Sequence, residues 1–192
     1  MALDQTEAAR DAELLAAYAA GEAGAARSLV EEHAPRALSL ARRMLRSETE
    51  AEEVAQEAML RLWKIAPKWR AGEARISTWL YRVTANLCTD RLRKQRPEPL
   101  PEGFDPVDET PSATHRMMAG ARNEALQVAL DALPERQRLA IVLRHLEERS
   151  NTEIAQVMDL SVDAVESLQA RGRRKLAAVM GALKPGLSFE DE

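Results

Sequence analysis

The chain has 192 residues, 30% of them charged, with 31 acids against 27 bases for a net charge of −4, and only 4% aromatic residues. That length allows one domain or two small ones, and the Ala- and Leu-rich composition without any Val/Ile/Thr-rich alternating run predicts an all-α protein. No stretch approaches the ~18 consecutive apolar residues of a membrane span, and MALDQTEAAR lacks a basic, apolar signal segment, so no membrane insertion and a cytoplasmic location are expected. The lone Cys88 rules out an internal disulfide and suits a reducing compartment. His33, His115 and His145 share no ligand spacing with Cys88 or one another, so neither a metal nor a cofactor is expected.

In chain order, helical patterns run through DAELLAAYAAG, AARSLVEEHAPRALSLARRMLR and EAEEVAQEAMLRLWKIA. In the third, Ala51, Val54, Ala55, Ala58, Met59 and Leu62 follow the i, i+3, i+4, i+7 spacing of a core face. A second stripe then carries Glu53, Gln56, Glu57, Leu60, Trp63 and Lys64. Leu60 and Trp63 amid charges read either as the anchor of a protein interface or as residues packed beneath the N-terminal helices.

Charge is distributed unevenly. From Arg61 to Arg96 ten bases face only Glu73 and Asp90. The helix STWLYRVTANLCTDRLRKQR lies in this segment. At about 100° per residue, Ile76, Leu80, Val83 and Leu87 form a core stripe. Arg75, Trp79, Arg82, Asn86 and Arg93 form another, roughly a quarter turn away. Indoles over bases and guanidinium groups at phosphates are the chemistry of single-stranded or locally opened nucleic acid. The competing reading is a solvated basic face with Trp79 in the core. Lys68, Trp69 and Arg70, in a short Gly-containing connector, add a second aromatic among cations.

A Pro-rich acidic stretch, PEPLPEGFDPVDETP, holds five of the nine prolines and predicts an extended tether. The expected organisation is a helical module over residues 1–96, a linker over 97–116, a second helical module over 117–184 and a tail over 185–192. In the second module, ARNEALQVALDAL and PERQRLAIVLRHLEE precede a helix-turn-helix pattern. Ser150 and Glu153 are spaced as a capping box, Ile154, Ala155 and Met158 point inward, and MDLS makes the turn. Ser161 caps the next helix. There Val162, Val165, Gly172, Leu176 and Val179 are expected inward, with Asp163, Glu166, Ser167, Ala170, Arg171 and Arg174 outward. Such a pair suits a major groove, although an ordinary helical hairpin has the same pattern.

Taken together, these segments resemble the extracytoplasmic-function (ECF) group of the sigma-70 family of RNA polymerase sigma factors. EAEEVAQEAMLRLWK resembles the region 2 helix that grips the polymerase core, which implies core contacts at Glu53, Gln56, Glu57, Leu60 and Trp63. ARISTWLYRVTANLCTDRLRK resembles the following region 2 helix, at the promoter element near −10. It implies a role for Lys68, Trp69, Arg70, Arg75, Trp79, Arg82, Asn86 and Arg93 on the opened strand. LDALPERQRLAIVLRHLEERSNTEIAQVMDLSVDAVESLQARGRRKL resembles region 4, whose helix-turn-helix reads the element near −35. Its expected contacts are Ser161, Asp163, Glu166, Ser167, Ala170, Arg171, Arg173, Arg174 and Lys175. Met158-Asp159 stands where the family usually has Leu-Gly at the turn. Glu166 and Leu168 replace a Lys and an Arg at the start of the recognition helix, so Glu166 either accepts from a cytosine amino group or is solvated. The resemblance implies RNA polymerase core, promoter DNA and an anti-sigma factor as partners, and no catalysis by the chain itself. The alternative is a dimeric helix-turn-helix regulator acting on duplex DNA. No nucleophile–base set or phosphate-cradling Gly loop supports an enzyme.

Overall fold

A computed structural model describes residues 2–69, 75–95 and 118–183, and among these it contains helices and turns but no strand. The first half comprises α1 (Ala2–Ala19), α2 (Ala23–Met44), α3 (Glu48–Ile65), a 3-10 turn over Ala66–Lys68, and α4 (Ile76–Gln95). The second comprises α5 (Met118–Asp131), α6 (Glu135–His145), α7 (Asn151–Met158) and α8 (Val162–Leu183). The expected linker, Arg70 and the tail lie outside the described residues.

Local chemistry sets the boundaries. At the end of α1, Gly21 adopts φ +88° and the Glu22 N–H donates to the Ala17 carbonyl at 3.0 Å, a left-handed stop that Gly takes at least cost. Ser47 Oγ accepts from the Glu50 N–H at 3.3 Å and caps α3. Pro35 lies inside α2 on an exposed position, where the missing N–H leaves the Glu31 carbonyl to solvent. Between α1 and α2, buried His33 Nε2 meets buried Asp11 Oδ1 at 2.9 Å. That hydrogen bond and the Arg10–Glu32 ion pair at 3.5 Å help set the register of the two helices.

One core lies within the first half, built from Leu15, Leu29, Ala58, Leu62, Ile76 and Leu80. All six positions expected on the inner face of α3 are buried. A second core crosses between the halves. Leu40, Met44, Tyr81 and Cys88 from the first half pack with Leu130, Val142, Ile154 and Val165 from the second. Sequence patterning left the relative orientation of the halves open; the structure joins them.

This shared core corrects the reading of α4. Ile76 and Leu80 are buried as expected, but Val83 and Leu87 are only half-buried, while Ser77, Tyr81, Thr84, Ala85 and Cys88 are buried too. The helix is covered on two sides, by its own half and by α7 of the other, so one apolar stripe does not describe it. Val162, expected inward, is 38% exposed. A helical side chain leans over the turn before it, and the first residue of α8 has no such turn to cover. Burial raises the Cys88 thiol to about 12, which leaves it an inert packing group.

Polar contacts complete the seam. The last carbonyls of α2 have no intrahelical partners, and the other half supplies them: Arg138 Nη1 donates to the Met44 carbonyl at 2.8 Å and Gln127 Nε2 to the Arg43 carbonyl at 3.3 Å. Arg138 also meets Asp131 Oδ1 at 3.0 Å, and Arg46 meets Asp131 Oδ2 at 3.1 Å. Farther along, Glu147 accepts from Ser39 Oγ at 2.6 Å and from the Tyr81 hydroxyl at 2.7 Å.

Candidate polymerase and nucleic-acid interfaces

The outer stripe of α3 flanks a groove of about 890 Å³ between α2 and α3. Val30, Pro35, Leu38, Met59, Leu60 and Trp63 form its apolar floor and wall, and Asn123 and Gln127 of α5 close one end. Glu53 and Gln56 are exposed, Leu60 is 38% exposed, and Glu57 and Trp63 are half-buried. The Trp63 indole Nε1 is buried without a partner. The two acids are held rather than free. Glu57 accepts from Arg61 Nε at 2.9 Å, which holds its carboxyl below the usual range, and Glu53 Oε2 accepts from Arg91 Nη1 of α4 at 2.6 Å. The structure thus places Leu60 and Trp63 at a groove rim, between the two alternatives that the spacing left open.

The cationic face of α4 divides. Arg82 and Asn86 are exposed and line a crevice of about 330 Å³ facing Glu135, Arg136, Met158 and Asp159 of the second half. Arg75 Nη1 lies 3.7 Å from Glu153 Oε1, a carboxylate of α7. Arg93 pairs with Asp90 at 2.8 Å, one turn away. Lys68 is exposed on the 3-10 turn. Trp69 and Trp79 are half-buried against the first core, in edge-to-face contact with centroids 5.9 Å apart. Each indole is therefore seated in the fold while part of it remains accessible. Arg70 lies outside the described residues.

The helix-turn-helix forms as patterned. Ser150 Oγ accepts from the Glu153 N–H at 3.2 Å while the Ser150 N–H donates to Glu153 Oε2 at 2.8 Å, a reciprocal cap on α7. Asp159 takes the left-handed conformation at φ 54° and ψ 55°, so the Asp does the work Gly does elsewhere. Ser161 Oγ accepts from the Ala164 N–H at 3.2 Å and caps α8. Gly172 permits close packing: a Cβ there would lie 2.8 Å from Ile141 Cγ1 of α6. Asp163, Glu166, Ser167, Arg171, Arg173, Arg174 and Lys175 are exposed along α8, and Ala170 is half-buried. Burial, then Arg173 of α8 and Arg144, pulls the His145 imidazole below its usual value.

Several groups at these faces gave no sequence signal. Tyr81, Glu147 and Arg138 act between halves, a relation that no periodicity encodes. Asn151 and Gln169 are ordinary amides in sequence but form a chain on the second module: Gln169 Nε2 donates to Asn151 Oδ1 at 3.0 Å, and Asn151 Nδ2 donates to Glu166 Oε1 at 3.1 Å.

Two family models match the chain, sigma-70 region 2 over residues 29–98 and sigma-70 region 4 over residues 123–176. Those are the two helical units just described, so the fold defines a sigma-70-type factor with these two regions and a Pro-rich stretch between them. Among curated proteins, the ECF RNA polymerase sigma factor SigM of Mycobacterium tuberculosis is 33% identical over 93% of this chain and 89% of its own length. The ECF factor SigW of Bacillus subtilis is 30% identical over 81% and 89%. Among solved structures, CnrH in complex with the cytosolic domain of CnrY superposes with a TM-score of 0.69 at 28% identity, over 90% of this chain and 97% of that one. The chain belongs to the ECF group of the sigma-70 family.

Proposed function

We propose that this chain is a dissociable promoter-specificity subunit, which directs core RNA polymerase to a set of promoters and assists strand opening. It performs no chemistry of its own and acts in the cytoplasm. The groove flanked by Leu60 and Trp63 docks on the core, with Gln56 at its polar rim and Glu53 and Glu57 beside it on the outer stripe of α3. The α4 face, from Lys68 and Trp69 through Arg75, Trp79, Arg82, Asn86 and Arg93, holds the opened strand near −10. The α7–α8 pair binds the duplex near −35. One observation carries this reading: a basic, indole-bearing helix and a capped helix-turn-helix occur in family order on one chain.

The closed arrangement supports a second part of the reading. A compact chain of this length has a radius of gyration of about 16 Å, hence a span of roughly 40 Å. Elements some 25 base pairs apart are about 85 Å apart along the duplex, at about 3.4 Å per pair. The closed form cannot reach both. Fully stretched, a segment as long as 96–117 would span at most roughly 70 Å at about 3.3 Å per residue, enough to let the halves part. On this reading the seam opens when core polymerase takes hold, which releases Arg82 and Asn86 from the crevice they share with α6 and α7. An anti-sigma factor acts in the opposite sense, holding the closed form and covering the α3 groove; CnrH was solved with the cytosolic domain of its partner CnrY.

The test is transcription in vitro by core polymerase with and without this chain on a genomic fragment library. New start sites are expected only with the chain. Arg82→Ala with Asn86→Ala is expected to keep core binding but reduce permanganate-reactive, opened promoter at least tenfold. Absence of any new start would sink the proposal, and normal opening by the double variant would remove those residues from the strand-holding face.

A further inference from the structure

Glu166 is an anomaly on the face that meets DNA. It is exposed in the second turn of α8, where recognition helices present side chains to base edges, and a carboxylate there is repelled by phosphates unless it finds a donor. Its geometry is also unusually determined. Gln169 is 3% exposed, so its amide sits fixed in the interior, and its Nε2 donates to Asn151 Oδ1. That bond leaves Asn151 only one way round, with its Nδ2 turned to Glu166 Oε1. Glu166 and Gln169 lie three residues apart on one face of α8, and Asn151 bridges them from the first residue of α7. The carboxylate is thus braced from across the turn through one oxygen. Oε2 has no hydrogen-bond partner among the described residues and remains an acceptor.

We infer that Glu166 is a specificity-determining residue, whose free oxygen accepts from the N4 amino group of a cytosine in the major groove of the upstream element. Asn151 and Gln169 are positioning residues that hold it in place. This rests on the reading of α7–α8 as the upstream-duplex module. Guanine presents only acceptors in the major groove, and thymine an acceptor with a methyl group, so both repel or fail to satisfy a carboxylate. Adenine offers its N6 amino group, but beside the N7 acceptor, which penalises a carboxylate and favours an amide. Cytosine offers a donor flanked on its own ring by a C–H. The braced acceptor therefore works largely by rejecting the other bases. The backbone affinity that offsets its charge comes from Arg171, Arg173, Arg174 and Lys175 on the turns that follow.

The experiment is selection by transcription from a promoter library randomised across the upstream element, using the full chain with core polymerase. Wild type is expected to enrich cytosine at one position by roughly 5- to 150-fold over guanine or thymine. Glu166→Gln is expected to move that one preference to adenine, and Glu166→Ala to flatten it. Asn151→Ala is expected to weaken the same preference while every other position stays unchanged, a pattern that the loss of melting temperature from unpairing the buried Gln169 amide would not by itself give. An unaltered consensus from both Glu166 variants overturns the inference and leaves the promoter reading intact. No enrichment by wild type anywhere upstream overturns the promoter reading, and the inference with it.

Discussion

Glu153 closes the capping box on α7 and also faces the first half of the molecule. Burial alone would raise its carboxyl, but the hydrogen bonds from the Ser150 side chain and backbone outweigh burial, with Arg149 and Arg75 adding to them, and hold it below its ordinary 4.5. A carboxyl whose folded value is lowered contributes stability that is complete above the unfolded value and lost as pH falls through the folded one. Acid should therefore loosen α7 and its contact with α4, beginning just below the ordinary carboxyl range. Glu153→Gln should lower the melting temperature at pH 7 and flatten its fall between about pH 5 and 3; an equally steep fall in the variant would show that another group dominates. At this scale the sequence was partly readable. The Ser150–Glu153 spacing announced the cap, because both partners lie three residues apart along the chain, whereas Arg75 meets Glu153 only through folding. Trp79 shows the converse: helical phase left it between a cationic face and the core, and the structure seats it half-buried against the first core in edge-to-face contact with Trp69.

Among the elements, α3 and α8 were the most legible. The inner face of α3 follows from periodicity because its buried residues form one stripe, although Ala51 and Val54 join the shared core and Ala58 and Leu62 the first. On α8, Gly172 was expected inward, and the structure supplies the reason in the 2.8 Å that a Cβ would leave to Ile141. Gly172→Ala gains helix propensity of up to about 1 kcal/mol but forces Ile141 aside, and overpacking costs about 1–3 kcal/mol. Net destabilisation is expected in chemical denaturation, with weaker binding of upstream duplex because α8 shifts away from α6. A more stable variant would mean that the Ile141 side chain simply rotates clear. α4 was the least legible element. It is covered on two sides, by its own half and by α7, so its buried positions obey no single 3.6-residue stripe, and Tyr81, outside the expected core stripe, is buried.

For the whole molecule, the decisive feature is the seam. Glu147 takes two hydroxyl donors from the first half, and Tyr81 is only 2% exposed. Burial, then the hydrogen bond to Glu147, raises the Tyr81 pKa far above physiological pH, so it remains a donor. Glu147→Ala strands that buried hydroxyl at a cost of about 1–3 kcal/mol. The halves should then separate without unfolding: small-angle scattering should show an increased radius of gyration, with helical content by circular dichroism unchanged. Promoter activity at limiting core polymerase should rise by a few fold, since less free energy is needed to open the chain. A compact variant with unchanged scattering would assign the closed form to the apolar contacts and the remaining polar ones, Arg138 on the Met44 carbonyl and Arg46 with Asp131 among them.

The linear chain determined features set by near neighbours: helical class, the inner face of α3, the caps at Ser150 and Ser161, the position of the α7–α8 turn, and the uneven cationic charge. Those features follow from backbone geometry and local hydrogen bonding, which carry their own periodicity. Tertiary structure alone decided how the halves meet, because Arg138 at the end of α2 and Glu147 beneath Tyr81 pair groups 94 and 66 residues apart, and it likewise brought Asn151 to Glu166 across the α7–α8 turn. A side chain's charge and shape fix what it needs, but only the folded path fixes which distant group supplies it.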